Sequence, residues 1–137
     1  MNDKELIRAA LQARTYSYSP YSKFQVGAAL LGSDGRIYSG CNIESASYGA
    51  TNCAERTAFY KAVSQGVRSF QAIAIVGGKE GEEALDFCPP CGICRQVMME
   101  FCSPQSFRIL LAKSEEEYQE FTLKELLPLG FGPGNLE

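Results

Sequence analysis

The stretch CAERTAFYKAVSQGVRSFQAIAIV, from Cys53 to Val76, places a helix directly before a strand, and that order decides the fold class. Ala54, Thr57, Ala58, Lys61 and Ala62 follow a helical pattern, and Gly66 supplies the stop signal. Phe70 to Val76 then reads as a strand. Upstream, Phe24 to Leu31 reads as a buried strand, Gly32-Ser-Asp-Gly35 as hairpin turn chemistry, and Arg36 to Cys41 as the antiparallel return. Asn2 followed by Glu5 predicts a capped helix from about Asp3 to about Ala13, with Leu6, Ile7, Ala10 and Leu11 on one face.

Tyr16 to Ser22 is turn-rich and aromatic, and Asn42 to Asn52 has no periodicity, which predicts an irregular segment over a site. Downstream of the opening stretch, Gly77 to Phe87 reads as an acidic loop, and Pro89-Pro90 precedes a helix from about Cys91 to Phe101. Phe107 to Ala112 reads as a further strand, and Thr122 with Glu125 caps a short helix, Leu123 to Leu127. Strands alternating with helices point to an α/β sandwich built on one mixed sheet. No repeat, low-complexity tract or linker divides the 137 residues, so one domain spanning residues 1–137 is expected.

The formal net charge of −3 weakens any general attraction to nucleic-acid phosphates and favours a small-molecule partner. No apolar run approaches the ~20 residues of a membrane span, and the start MNDKELIRAA is too acidic for an export signal. A cytoplasmic protein with no membrane or nucleic-acid partner is expected. In that reducing setting the six cysteines, Cys41, Cys53, Cys88, Cys91, Cys94 and Cys102, read as metal ligands or buried thiols before they read as disulfides. The chain contains no histidine, so acid–base chemistry falls to a carboxylate, a thiol or a metal-activated water.

Cys53-Ala-Glu55 and Pro90-Cys-Gly-Ile-Cys94 each put sulfur at a helix start, where free N–H groups and the helix dipole favour the thiolate that zinc binds. Cys53, Cys91 and Cys94 are the candidate ligands. Cys88 is the alternative fourth, which would close the site and make it structural, while Cys41 and Cys102 read as small core residues. Three thiolates on one Zn²⁺ leave one net negative charge, which Arg56 is placed to offset by donating to ligand sulfur, with Arg95 as second choice. Glu55, two residues after a ligand, is the candidate proton carrier.

At these residues the chain resembles the cytidine deaminase family, with Cys53 where the general zinc deaminase signature has His. The resemblance extends over Pro20 to Gly27, Gly40 to Glu44, Asn52 to Thr57, Pro90 to Gln96 and Leu126 to Pro128. It implies a three-layer α/β sandwich with a mixed five-stranded sheet and helices on both faces, a homotetramer with subunit contacts near the active sites, and one Zn²⁺ per subunit. It also implies hydrolysis of cytidine and 2′-deoxycytidine in pyrimidine salvage, with water activated at zinc adding to C4 while Glu55 shuttles protons. By the same resemblance Asn42 and Glu44 bind the ribose hydroxyls, Phe24 packs against the base, and Phe131 closes over a neighbouring subunit's site; for the reaction itself, backbone groups around Ala54 and the Cys91 loop are expected to hold the amine and O2.

Four rival readings remain at this point. They are a deaminase of a cytosine-containing antibiotic such as blasticidin S, an enzyme editing RNA or DNA, a non-catalytic zinc-stabilised binding module, and a redox dithiol formed by Cys91 and Cys94.

Overall fold

The Asn2 side chain accepts a hydrogen bond from the Glu5 backbone at 2.8 Å, which starts helix α1 (Asp3–Arg14). The structure, a computed structural model, describes residues 2–83 and 85–137. Strands β1 (Phe24–Gly32) and β2 (Ile37–Cys41) follow, then α2 (Ala54–Ser64), β3 (Phe70–Lys79), α3 (Gly92–Phe101), β4 (Arg108–Ala112), β5 (Tyr118–Thr122) and α4 (Leu123–Leu126). Thr122 and Glu125 make the expected reciprocal cap on α4.

The five strands form one sheet in the order β2-β1-β3-β4-β5. β3 and β4 are parallel, from Ala72 opposite Arg108 to Ile75 opposite Leu111, and α3 lies in the crossover between them. The other three pairings are antiparallel, so the sheet is mixed. Alternation along the strands separates two apolar layers. Ala29, Leu31, Ala72, Ala74 and Val76 pack with Leu6, Ile7 and Ala10 of α1. Ala28, Leu30, Ile73, Ile75, Ile109 and Leu111 pack with Ala58 and Phe59 of α2, Met98 of α3 and Leu123 of α4. Phe59 is the hub of the second layer, with ring centroids of Phe70, Phe107 and Phe101 at 5.1, 6.1 and 6.3 Å. The result is the expected three-layer sandwich with helices on both faces.

Close approach of α2 to the sheet depends on Gly40. A Cβ there would lie 2.6 Å from both the Ala54 carbonyl oxygen and the Ala58 nitrogen. The helix that carries Cys53 at its cap is thereby held against β2.

Two elements differ from the sequence reading. β3 continues past Val76 to Lys79, because Phe24, Gln25 and Val26 of β1 pair with Lys79, Gly78 and Gly77. The expected loop is correspondingly shorter, and its Ala84 lies outside the described residues. β5 carries no apolar run that could announce it; Tyr118, Gln119 and Glu120 are exposed at the sheet edge. The segment from Asn42 to Asn52 is irregular as expected, apart from a short 3₁₀ turn at Tyr48–Ala50.

Edge strand β5 and the start of α1 share one cation. Arg108 Nη2 lies 2.8 Å from Asp3 Oδ2 and 2.7 Å from Glu120 Oε1. Its hydrogen bonds hold both carboxyls below their ordinary values. A lowered folded-state pKa contributes stability above the unfolded value, about 3.9 for Asp, and that contribution is lost as pH falls through the folded value. Thermal melts between about pH 5 and pH 3 should therefore fall more steeply for the wild type than for Asp3→Asn. Parallel curves would show that the cluster contributes nothing.

Candidate active site

Two helices begin at the same place. Cys53 is the N-cap of α2 and Cys91 the N-cap of α3, both in extended backbone conformation, and Cys94 occupies the first turn of α3. Their sulfurs all lie within 4.8 Å of one another, with Cys53 and Cys91 3.7 Å apart. Tetrahedral zinc with bonds of ~2.3 Å requires ligand sulfurs about 3.8 Å apart, so the donor set and spacing fit zinc. A site with three protein ligands is of the open type that catalysis uses.

Arg56 Nη2 donates to Cys53 Sγ at 3.3 Å. Hydrogen bonding from Cys94, with further help from Arg56, pulls the Cys53 thiol down to about 5. Arg56 Nε is buried without a hydrogen-bond partner among the described residues. Arg95, the second choice for this role, donates instead to the Pro90 carbonyl at 2.8 Å and the Leu126 carbonyl at 2.6 Å, bracing the segment before α3 against the end of α4.

Beside the sulfurs lies a cavity of about 230 Å³. Asn42, Glu44, Thr51 and Asn52 give it a polar side, and Val26, Ala54, Cys88 and Pro89 an apolar one. Cys53, Glu55 and Cys91 line it as well. Glu55 is only 4% exposed, and burial pushes its carboxyl up to about 7, within reach of proton exchange at neutral pH. Hydrogen bonds of 3.0 and 2.9 Å between Ile43 and Asn52 fold the irregular segment over this cavity. Asn52 then donates to Thr57 Oγ1 at 3.1 Å, which donates to the Cys53 carbonyl at 3.2 Å.

Of the residues singled out in the sequence, the fold brings Asn42, Glu44, Cys53, Ala54, Glu55 and Cys91 to one cavity, with Cys94 buried behind it. Phe24 and Phe131 do not line it. Phe24 sits at the rim, where its ring edge and the Cys88 sulfur both close on Gly77; a Cβ on Gly77 would meet them at 3.2 and 2.8 Å. Phe131 is 57% exposed, and its carbonyl accepts from Gln96 Nε2 of α3 at 2.6 Å. Cys88 lies outside the three-sulfur cluster, and burial pushes its thiol up to about 11, so it is a protonated wall residue. Val26, Thr51 and Pro89 were not legible as cavity residues, since they read locally as strand, irregular segment and lead-in to a helix.

Comparison with known proteins places these features in context. The cytidine and deoxycytidylate deaminase zinc-binding region matches residues 1–108. A cytidine deaminase of Sporosarcina psychrophila is 51% identical over 136 residues, covering 99% of this chain and 96% of that protein. One from Halalkalibacterium halodurans is 51% identical over 131 residues, covering 96% and 95%. The crystal structure of cytidine deaminase from Burkholderia pseudomallei matches with a TM-score of 0.85 and 44% identity, over 96% of this chain and all of that one. The Mycobacterium tuberculosis structure matches with a TM-score of 0.81 and 37% identity, over 96% and 98%.

Removing the donor to Cys53 tests the charge balance of the cluster. Arg56→Ala should remain folded while its zinc affinity falls about 10- to 100-fold, measured by competition with a chromophoric chelator. Unchanged affinity would remove Arg56 from the metal site.

Proposed function

Because the chain belongs to the cytidine and deoxycytidylate deaminase family, we propose that this cavity takes cytidine and 2′-deoxycytidine and hydrolyses each, with one water, to the uridine product and ammonia. The observation that carries the reading is a buried carboxyl, Glu55, beside a three-cysteine cluster at the end of a cavity with one polar and one apolar side.

Cys53, Cys91 and Cys94 hold one zinc ion, and Arg56 disperses the charge of their sulfurs. Zinc, when bound, supplies Lewis-acid activation of water. Glu55 takes one proton from the attacking water and delivers it to N3 of the pyrimidine; it then takes the second, from the hydroxyl now on C4, and passes it to the amine, so that ammonia leaves and the 4-keto group forms. A carboxyl poised near neutrality by burial gives and takes a proton at comparable cost, which suits one residue to both steps. Asn42 and Glu44, on the polar side, read the sugar hydroxyls, so a free base would leave buried polar groups unpaired. Backbone groups around Ala54 hold the amine and O2, and Phe24 at the rim flanks the base.

The same reading extends to assembly. Residues 1–137 form a single catalytic domain that works as a cytoplasmic homotetramer, with Phe131 of one subunit closing over the site of another. Support comes from apolar side chains left in solvent on one chain: Ile93, Leu129 and Phe131 are all exposed. Among the described residues no helix is long and apolar enough to cross a membrane.

Steady-state assays on cytidine, 2′-deoxycytidine, cytosine, blasticidin S and a cytosine-containing oligonucleotide test the substrate. The two nucleosides should be deaminated orders of magnitude faster than the rest. Preference for the antibiotic or the oligonucleotide would overturn the proposal. Sedimentation of the same protein should give the mass of a tetramer, and a monomer would contradict the shared-site arrangement.

A further inference from the structure

Asn42 and Glu44 reach the cavity with much of their hydrogen-bonding capacity already used. Asn42 Oδ1 accepts from Val26 N at 2.9 Å and from Ser17 Oγ at 2.5 Å, while Nδ2 donates to the Phe24 carbonyl at 2.8 Å. A side-chain amide has two acceptor lone pairs and two N–H donors. Both lone pairs are therefore filled, and one N–H remains for the cavity. Glu44 Oε1 accepts from the Tyr21 and Ser22 backbone at 3.0 and 3.1 Å, and Oε2 accepts from the Ser22 hydroxyl. A carboxylate has no donor and about four acceptor positions, so one on Oε2 stays open.

The pair thus presents one donor and one acceptor with no freedom to exchange them. A sugar hydroxyl, which can accept and donate together, satisfies both. Neither Ser17 nor Ser22 lines the cavity, so any effect they have passes through Asn42 and Glu44. We propose that Ser17 and Ser22 are positioning residues for sugar recognition: Ser17 makes Asn42 donor-only toward the ligand, and Ser22 fixes the rotation of the Glu44 carboxylate. Without the Ser17 hydroxyl the free Oδ1 lone pair competes for the substrate hydroxyl's proton, although Val26 and Phe24 still hold the amide. Without the Ser22 hydroxyl the carboxylate keeps only its two backbone donors on Oε1 and can turn. Ser22 Oγ also accepts from Phe24 N at 3.1 Å, so Ser17 offers the cleaner substitution.

This inference rests on the sugar-reading role given to Asn42 and Glu44, and the test separates the two. KM and kcat are measured on cytidine and on 2′,3′-dideoxycytidine, which lacks the ring hydroxyls, for wild type, Ser17→Ala, Ser22→Ala and Ser17→Thr. Ser17→Ala should lose about 3- to 10-fold in kcat/KM on cytidine, mainly through KM, the worth of one neutral hydrogen bond, and Ser22→Ala at least as much, because its partner is a carboxylate. Neither should change on dideoxycytidine, and Ser17→Thr, which keeps the hydroxyl, should restore the cytidine value. Equal losses on both substrates would mark a general folding effect and overturn the proposal, as would no loss on cytidine. A wild type that treats the two nucleosides alike would overturn the sugar-reading pair, and this proposal with it.

Discussion

Three sulfurs from two different helices have to meet within 4.8 Å, and most of the structure follows from that constraint. Cysteine at a helix cap is favoured as thiolate, but two such caps in contact bring like charges together in a half-buried place. The protein answers with one guanidinium on sulfur and with zinc as the natural occupant of the remaining space. Glu55 is part of the same problem. Its carboxyl is buried two residues beyond the α2 cap, next to thiolate charge, and it stays protonated more readily than an ordinary glutamate. The arrangement that would destabilise an unligated protein is the one that sets a buried carboxyl beside a cluster fit to hold a metal.

Holding the two caps in register is the work of the core. α2 lies against β2 because Gly40 has no side chain, and Phe59 anchors the same helix among Phe70, Phe101 and Phe107. α3 follows β3 through the crossover to β4, so its N-terminus emerges at the end of a central strand rather than at an edge. In open α/β sheets, ligands collect at such strand ends. The irregular segment from Asn42 to Asn52 closes the polar side of the cavity by pairing with itself, and it carries Asn42 and Glu44 to the cavity wall.

Much of this was legible in the sequence, for reasons that differ by residue. Cys53, Glu55, Cys91 and Cys94 announced themselves because chemistry at a metal restricts residue type and spacing together. α1, α2 and the hairpin of β1 and β2 were legible because caps, periodicity and turn residues agree. β5 was not, since an edge strand with one solvent face needs no apolar run and is fixed instead by its pairing with β4 and by Arg108. The extension of β3 through Gly77 and Gly78 was hidden for a similar reason: glycines read as loop until a partner strand pairs with them. Cavity walls such as Val26, Thr51 and Pro89 meet only in three dimensions, and nothing local marks them, while Cys88 stood out as a possible fourth ligand and proves to be a wall residue. The hydrogen bonds of Ser17 and Ser22 are of the same kind, since serine in a turn-rich segment has an ordinary local explanation.

Zinc content and deamination rate, determined on one preparation of Glu55→Gln beside the wild type, test the division of labour most directly. Three cysteines that hold the metal without Glu55 give close to one zinc per chain in both proteins. A glutamine that cannot carry a proton gives a variant whose loss of cytidine absorbance falls by several orders of magnitude. A variant that turns over at the wild-type rate, or one that loses its zinc along with its activity, would contradict the assignment of metal binding to the cysteines and proton transfer to Glu55.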